Sequence, residues 1–280
     1  MKVPSDITVR AALNEAAFVL SEAGIHNARH EARLLAEHIL GHRLGVDELF
    51  TGEEFRDFLS LVGARAQRIP LQHVMGVAYF RRLTLRVRPG VFVPRPETEM
   101  VAEESIAAAR EWVARGVAPR VLDVGCGSGA LGLSIASEVP QAVLTCTDID
   151  AAAAALTREN AVLVGVDAEV LCADVTRENL SEKFHVIASN PPYVVAPVSQ
   201  PEAARDPALA LYGGGADGLD KPRAFLRFAA PLLVAGGTLV MEHAESQAAA
   251  LVAEARALGL SEAVTGYDLA QRPRYLRARS

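Results

Sequence analysis

Between Ile7 and about Arg68 the apolar residues recur at intervals of three and four, as in AALNEAAFVLSEAG and HEARLLAEHILG. That is the period of helices burying one face. Both runs end in glycine, which suits the left-handed turn that closes a helix, so residues 1–71 predict a small helical domain. From Gln72 to Val93 the pattern becomes alternating, VAYFRRLTLRVRPGVFV, and predicts a β-hairpin in a linker of residues 72–96, with Pro89-Gly90 as its turn signal. A helix is expected from about Thr98 to Arg115. Thereafter strands and helices alternate. The strands are RVLDVG from 120, AVLTCTDID from 142, EVLCAD from 169, FHVIASN from 184, GTLVMEH from 237, EAVTGYD from 262 and RYLRA from 274, with helices starting near Ala130, Ala151, Lys221 and Ser246. Alternation of this kind predicts an α/β domain over residues 97–280, a doubly wound, mostly parallel Rossmann-like sheet.

Composition narrows the function classes. A chain of 280 residues with 50% hydrophobic and 22% charged residues is ordinary for a globular protein. It holds no apolar run of about 18 residues, and its first stretch, MKVPSDITVR, lacks the apolar segment of a secretory signal. A cytoplasmic protein with no membrane partner is the expectation. A net charge of −6 speaks against a large nucleic-acid surface, because phosphate binding is driven by Lys and Arg displacing counterions. Residues 1–90 carry 12 Lys and Arg against 10 Asp and Glu, leaving 16 against 24 for the rest, so only the front end is mildly basic. The three cysteines, Cys126, Cys146 and Cys172, fit neither a disulfide framework nor a zinc pattern and read as small core residues. The pairs His26/His30 and His38/His42 lack accompanying ligands, and no metal is expected.

Candidate chemistry begins at VLDVGCGSGALG, residues 121–132. A strand, a glycine-rich turn and a helix start place a ligand at the C-terminal edge of a sheet, where free backbone N–H groups await it. Two registers compete. Gly127-x-Gly129-x-x-Gly132, with Asp148 19 residues after Gly129, satisfies a dinucleotide fingerprint and supports NAD. Asp123-x-Gly125-x-Gly127-x-Gly129 puts a carboxylate before the glycines, which suits a nucleoside ligand bearing an ammonium group.

The stretch SNPPYV, residues 189–194, decides between them. It follows the fourth strand of the sheet on the same edge as the glycine loop, and paired prolines cannot continue a strand. An amide or aromatic –NH₂ is a poor nucleophile because its lone pair is delocalised. If the Asn190 side-chain carbonyl accepts one of its N–H groups and the Pro191 backbone carbonyl the other, the nitrogen is held for attack without a strong base. Tyr193 is expected to pack over the planar group and exclude water.

Asn-Pro-Pro-Tyr matches the signature of methyltransferases acting on planar amino nitrogens. The whole chain resembles one branch of them, the release-factor glutamine methyltransferases (the HemK/PrmC family). The likeness runs through the helical front domain, PLQHVMG from 70, VFVPRPETE from 91, DVGCGSG, SNPPYV, GGGADGLDKPR from 213 and MEHAESQ from 241. The resemblance implies a class I methyltransferase fold and S-adenosylmethionine as cofactor, leaving S-adenosylhomocysteine. The implied substrate is the glutamine amide in the Gly-Gly-Gln loop of class 1 peptide-chain release factors, with no direct nucleic-acid substrate and a monomeric enzyme.

By position the resemblance assigns Asp123, Gly125, Cys126, Gly127, Ser128, Gly129, Asp148, Asp174, Val175 and Asn190 to the cofactor. It assigns Asn190, Pro191, Pro192 and Tyr193 to the glutamine, with Arg95 and Glu97 beside the entrance, either contacting the release factor or forming an internal ion pair. Three residues depart from the family pattern. Val175 stands where an aromatic is frequent, and Ala244 and Gln271 stand where glycine is usual. The alternatives are methylation of the exocyclic amine of adenine in nucleic acid, a nucleoside-binding module without chemistry, and an NAD-dependent dehydrogenase.

Overall fold

The computed structural model describes residues 7–45, 47–175, 180–195 and 197–280; residues 1–6, the start of MKVPSDITVR, lie outside them. The chain divides into two compact units, residues 1–76 with 199–205, and residues 77–198 with 206–280.

The smaller unit holds β1 (Ile7–Thr8), α1 (Val9–Glu22), α2 (Ala28–Leu40), β2 (Leu49–Phe50), α3 (Gly52–Ala66) and α4 (Leu71–Met75). The glycines behave as the sequence suggests: Gly24 follows α1 at φ +77 and Gly41 caps α2 at φ +72. Thr51 and Glu54 cap α3 reciprocally, each side chain accepting the other's backbone N–H at 3.2 and 2.7 Å. Leu20, Leu35, Ala36 and Phe58 are fully buried in one cluster, and Phe58 stacks on Phe50 with ring centroids 5.1 Å apart. Phe58→Ala is expected to cost this unit about 3–5 kcal/mol, read as a lower urea midpoint; a loss below about 1 kcal/mol would mean the site collapses around the deletion.

The excursion 199–205 closes this unit. Glu202 accepts from Arg68 Nε at 2.6 Å and lies 2.9 Å from an Arg65 guanidinium nitrogen. Burial opposes ionisation of Glu202, yet the hydrogen bonds from Arg68 and Arg65 bring its pKa down to about 2.

The larger unit opens with a hairpin, β3 (Val77–Phe80) and β4 (Leu83–Arg86), paired antiparallel. The turn falls on Arg81-Arg82, not on Pro89-Gly90, which lies beyond the second strand. Arg81 takes φ +51, and its guanidinium is held by Glu138 at 2.6 Å and Glu103 at 2.7 Å. Charge pairing thus stabilises a turn that contains neither glycine nor proline.

Then follow α5 (Glu99–Val113), β5 (Arg120–Val124), α6 (Ala130–Glu138), β6 (Val143–Asp148), α7 (Ala151–Val164), β7 (Ala168–Cys172), β8 (Phe184–Ser189), α8 (Ala208–Leu211), α9 (Asp220–Ala229), β9 (Leu233–Glu242), α10 (Ala248–Ala257), β10 (Ser261–Tyr267) and β11 (Pro273–Arg279). The sheet order is β10-β11-β9-β8-β5-β6-β7, and only the pairings made by β11 are antiparallel. Both faces are covered, as the continuous apolar strands require. Val121 on β5 joins a cluster with α5, α6 and α7, whereas Leu122 and Val124 join one with α9 and α10. Cys126 and Cys146 lie in that core; Cys172 is exposed, against the expectation that all three are core residues. Among the described residues no helix is long and apolar enough to cross a membrane.

From β5 the chain winds outward to β6 and β7, then returns to β8 on the other side. The crevice beyond the C-terminal ends of β5 and β8 is therefore the switch point where such sheets receive ligands.

Candidate active site

Register places the motifs together. Val124 pairs with Ser189 on β8 and Thr147 on β6, so Gly125, Asp148 and Asn190 are the next residues on three adjacent strands, about 4.8 Å apart in the pairing direction. They line one cavity of about 310 Å³. Asp123, Cys126, Gly127, Ser128, Asp174, Val175 and Pro192 line it too, with Phe92, Leu209 and Phe225 among its apolar walls.

The glycine loop is shaped by its backbone. Gly125, Gly127 and Gly129 adopt φ of +74, +59 and +82, a region other residues enter at a cost. The N–H groups of Gly125 and Cys126 both donate to the Thr147 carbonyl, at 2.8 and 3.0 Å. Asp148 receives Gly127 N–H on one carboxylate oxygen at 2.8 Å and Asp150 N–H on the other at 2.9 Å. It therefore ties the loop to the end of β6 while each oxygen retains a lone pair. From behind, the fully buried Asn160 of α7 donates to the Ser128 and Arg86 carbonyls at 2.8 and 2.9 Å and accepts Arg86 N–H at 2.8 Å.

Asp123 is 1% exposed. Its Oδ2 accepts Gly132 N–H at 2.8 Å, whereas Oδ1 is buried with no hydrogen-bond partner among the described residues. Burial pushes its pKa up to about 7, opposed by the Gly132 hydrogen bond and reinforced by Asp148; burial raises that of Asp148 as well. A buried carboxylate oxygen without a donor, on a cavity wall beside a glycine loop, fits a ligand carrying a cationic amine. Asp148, Asp174 and the apolar Val175 and Ile149 at the far strand ends fit its nucleoside.

Across the switch point, Asn190 Nδ2 donates to Thr98 Oγ1 at 3.0 Å, and the Thr98 hydroxyl donates to Glu242 Oε2 at 2.6 Å. The Tyr193 hydroxyl donates to Glu242 Oε1 at 2.8 Å. With Nδ2 giving one hydrogen to Thr98, Oδ1 remains as the acceptor of Asn190, a residue of the cavity wall. Pro191 is buried and Tyr193 is pinned at its hydroxyl; neither lines the cavity. The Tyr193 hydroxyl serves Glu242, because a fully buried carboxylate needs donors on both oxygens.

Arg95 and Glu97 also lie off the cavity wall. Arg95 forms an ion pair with the buried Asp206 and stacks over Phe92, 5.0 Å from the ring centroid. Glu97 faces Arg272 at 3.5 Å. Of the two roles considered for Arg95 and Glu97, internal ion pairing is the one the structure displays. Ala244 has φ −72, which any residue adopts, so its turn needs no glycine. Gln271 takes φ +60 itself, inside a loop that Asp268 ties through Ala270 and Arg272 N–H at 2.9 and 3.0 Å; the glycine-type turn is kept with glutamine in it.

Sequence reasoning missed Thr98, Glu242, Asn160 and Phe225. Thr98 lies within the quoted PRPETE, and Glu242 is a charge at the ligand-side end of the apolar run GTLVME, a signal that was there to be used. Phe225 offered none.

Residues 101–206 match the methyltransferase small domain and residues 11–76 the PrmC N-terminal domain. A solved Thermus thermophilus 16S rRNA methyltransferase, in complex with AdoMet and guanosine, shares the fold (TM-score 0.52, 22% identity, 73% of this chain and 49% of that one). Fold and site together define a class I methyltransferase. Over 290 aligned residues the chain is 39% identical to the release factor glutamine methyltransferase of Bifidobacterium longum, covering 95% of this chain and 97% of that one. It belongs to the release factor glutamine methyltransferase family. It is also 37% identical to the 4-amino-L-phenylalanine/4-methylamino-L-phenylalanine methyltransferase of Streptomyces pristinaespiralis, over 90% of this chain and 88% of that one.

Proposed function

We propose that this protein methylates the side-chain amide nitrogen of the glutamine in the Gly-Gly-Gln motif of class 1 peptide-chain release factors, using S-adenosylmethionine, and so modulates translation termination in the cytoplasm. The observation that carries this reading is the Asn190 amide, whose Nδ2 is committed to Thr98 at 3.0 Å, leaving an acceptor oxygen on the wall shared with Asp123 and the glycine loop. S-adenosylmethionine, when bound, supplies an electrophilic methyl carbon on its sulfonium. Asp123 would face its ammonium group, Gly125 to Gly129 its methionine chain, Asp148 the ribose hydroxyls, and Val175, next to Asp174, the adenine.

Asn190 Oδ1 would accept one N–H group of the glutamine amide, and the Pro191 carbonyl, which stands off the cavity wall between Asn190 and Pro192, would have to turn toward the cavity to accept the other. Both acceptors favour growth of positive charge on that nitrogen. Phe92, Phe225 and Leu209 keep the surroundings apolar, which strengthens these dipolar interactions by excluding water. The smaller unit, which spans the PrmC N-terminal match, would recognise the release factor.

Incubation of a release factor with the enzyme and S-adenosylmethionine should add one methyl group to the Gly-Gly-Gln peptide, read by mass spectrometry. A Gly-Gly-Glu release factor should be refused, because its carboxylate brings no N–H to the Asn190 acceptor; the expected discrimination is about 10⁴-fold or more in kcat/KM. Methyl transfer to the Glu form at the Gln rate would overturn the acceptor geometry.

The likeness to the aromatic-amine methyltransferase favours one second reading, a small aromatic amine as substrate. Comparison of kcat/KM for 4-aminophenylalanine and for the release factor decides between them, and tritium transfer to DNA or RNA tests an adenine substrate in the same assay.

A further inference from the structure

Asn190 offers its cavity two chemically opposite faces, an acceptor oxygen and a donor –NH₂, in nearly the same shape. Which one faces a substrate is decided by the atoms behind it. Thr98 Oγ1 lies 3.0 Å from Asn190 Nδ2 and 2.6 Å from Glu242 Oε2. A hydroxyl has one proton to give. If Thr98 gives it to Glu242, its oxygen accepts from Asn190 and fixes Nδ2 on the inner side. Were the residue at 242 instead to donate to Thr98, the hydroxyl proton would turn to Asn190, and the amide would rotate to meet it with Oδ1, presenting –NH₂ to the cavity. Glu242 is placed to prevent this. It is 1% exposed, and both of its oxygens accept from hydroxyls, Thr98 at 2.6 Å and Tyr193 at 2.8 Å.

Burial raises the pKa of Glu242 above the usual carboxylate range and Glu97 adds to the rise, while the hydroxyls of Thr98 and Tyr193 and the nearby Arg274 oppose it by favouring the carboxylate. The Tyr193 backbone is fixed in turn, its carbonyl accepting from Gln247 Nε2 at 2.9 Å.

We propose that Glu242 is a positioning residue which, through the Thr98 hydroxyl, sets the polarity of the substrate-facing Asn190 amide and thereby selects an N–H-bearing side chain over a carboxylate. The proposal rests on the function proposed above, and it assigns to Glu242 and Thr98 a part in substrate choice exercised through Asn190.

Three variants test it: Glu242→Gln, which keeps shape and adds a donor; Thr98→Val, which keeps shape and breaks the relay; and Thr98→Ser, which keeps the hydroxyl. Each is assayed well below its own Tm with the Gly-Gly-Gln release factor as substrate and the Gly-Gly-Glu form as competitive inhibitor. Glu242→Gln and Thr98→Val should each lower kcat by about 10–100-fold with unchanged cofactor affinity, and their double variant should lose no more than either alone. In Glu242→Gln, inhibition by the Glu form should strengthen at least tenfold relative to the KM for the Gln form, because a rotated Asn190 offers its carboxylate a donor. Thr98→Ser should stay near wild type.

A purely structural role predicts lower Tm without any change in the Gln-to-Glu preference, and that result would overturn the proposal. So would Thr98→Ser behaving like Thr98→Val. If the wild-type enzyme methylates no release factor at all, the underlying function fails, and the polarity relay falls with it; a wild type that is active while all variants match it rejects the relay alone.

Discussion

Replacing Asn190 by alanine is expected to lower kcat about 10²–10³-fold while S-adenosylmethionine still binds. The size follows from what is removed. A planar –NH₂ reacts only if its lone pair is aimed, and positioning of two reactants supplies several kcal/mol of the barrier reduction in well-oriented systems. Alanine removes the side-chain acceptor and leaves Thr98 without the donor it now receives at 3.0 Å. Asn190→Asp separates shape from chemistry. A carboxylate there would compete with Glu242 for the single Thr98 proton, placing two carboxylates around one hydroxyl, so it too should be inactive although its outline is unchanged. Isothermal titration with S-adenosylhomocysteine separates a binding loss from a chemical one. Wild-type kcat in Asn190→Ala would show that the amide is not held by this side chain.

Asp123→Asn is expected to make the free protein more stable at pH 8 and to abolish useful cofactor affinity. The sign follows from the carboxyl being raised from 3.8 to about 7 by burial. A folded-state pKa above the unfolded one means that stability is fully present below pH 3.8 and is lost as pH rises through about 7. Across that window the ionised group costs about 4 kcal/mol. Asparagine can still accept Gly132 N–H but buries an unpaired –NH₂ at about 1–3 kcal/mol, so a net gain of roughly 1–3 kcal/mol remains at pH 8 and vanishes near pH 5. In the wild type the same carboxylate must be ionised to attract an ammonium group, so cofactor affinity should weaken about tenfold per pH unit below about 7. Thermal melts of both proteins at pH 5 and 8, with and without cofactor, read all of this. A destabilised Asp123→Asn at pH 8, or a cofactor affinity flat from pH 5 to 8, would show that Asp123 is not the strained anion described.

Much of the larger unit could be read in advance because its strands are apolar on both faces and each ends in turn chemistry. RVLDVG and FHVIASN announced β5 and β8, and the loops after them carry the cavity. The hairpin turn was misplaced because Pro89-Gly90 is a strong local signal, whereas Arg81-Arg82 turns through ion pairs with Glu138 and Glu103, more than 20 residues away. The same limit hid Thr98 and Glu242. They lie 144 residues apart in the chain and meet only because β9 enters the sheet beside β8. The Tyr193 hydroxyl bond was hidden for the same reason, since its partner Glu242 lies 49 residues away in the chain.

The excursion at 199–205 has a consequence for dissecting the protein. The helical unit is not a contiguous stretch of polypeptide: the chain leaves it after Gly76 and rejoins it more than a hundred residues later to deliver Glu202 to Arg65 and Arg68. A fragment ending at Gly76 would strand two guanidiniums without that counter-ion, and a single protease nick near residue 76 would not separate the halves of its fold. A transplant of this helical unit onto another enzyme must therefore carry both pieces of sequence, spliced at two places.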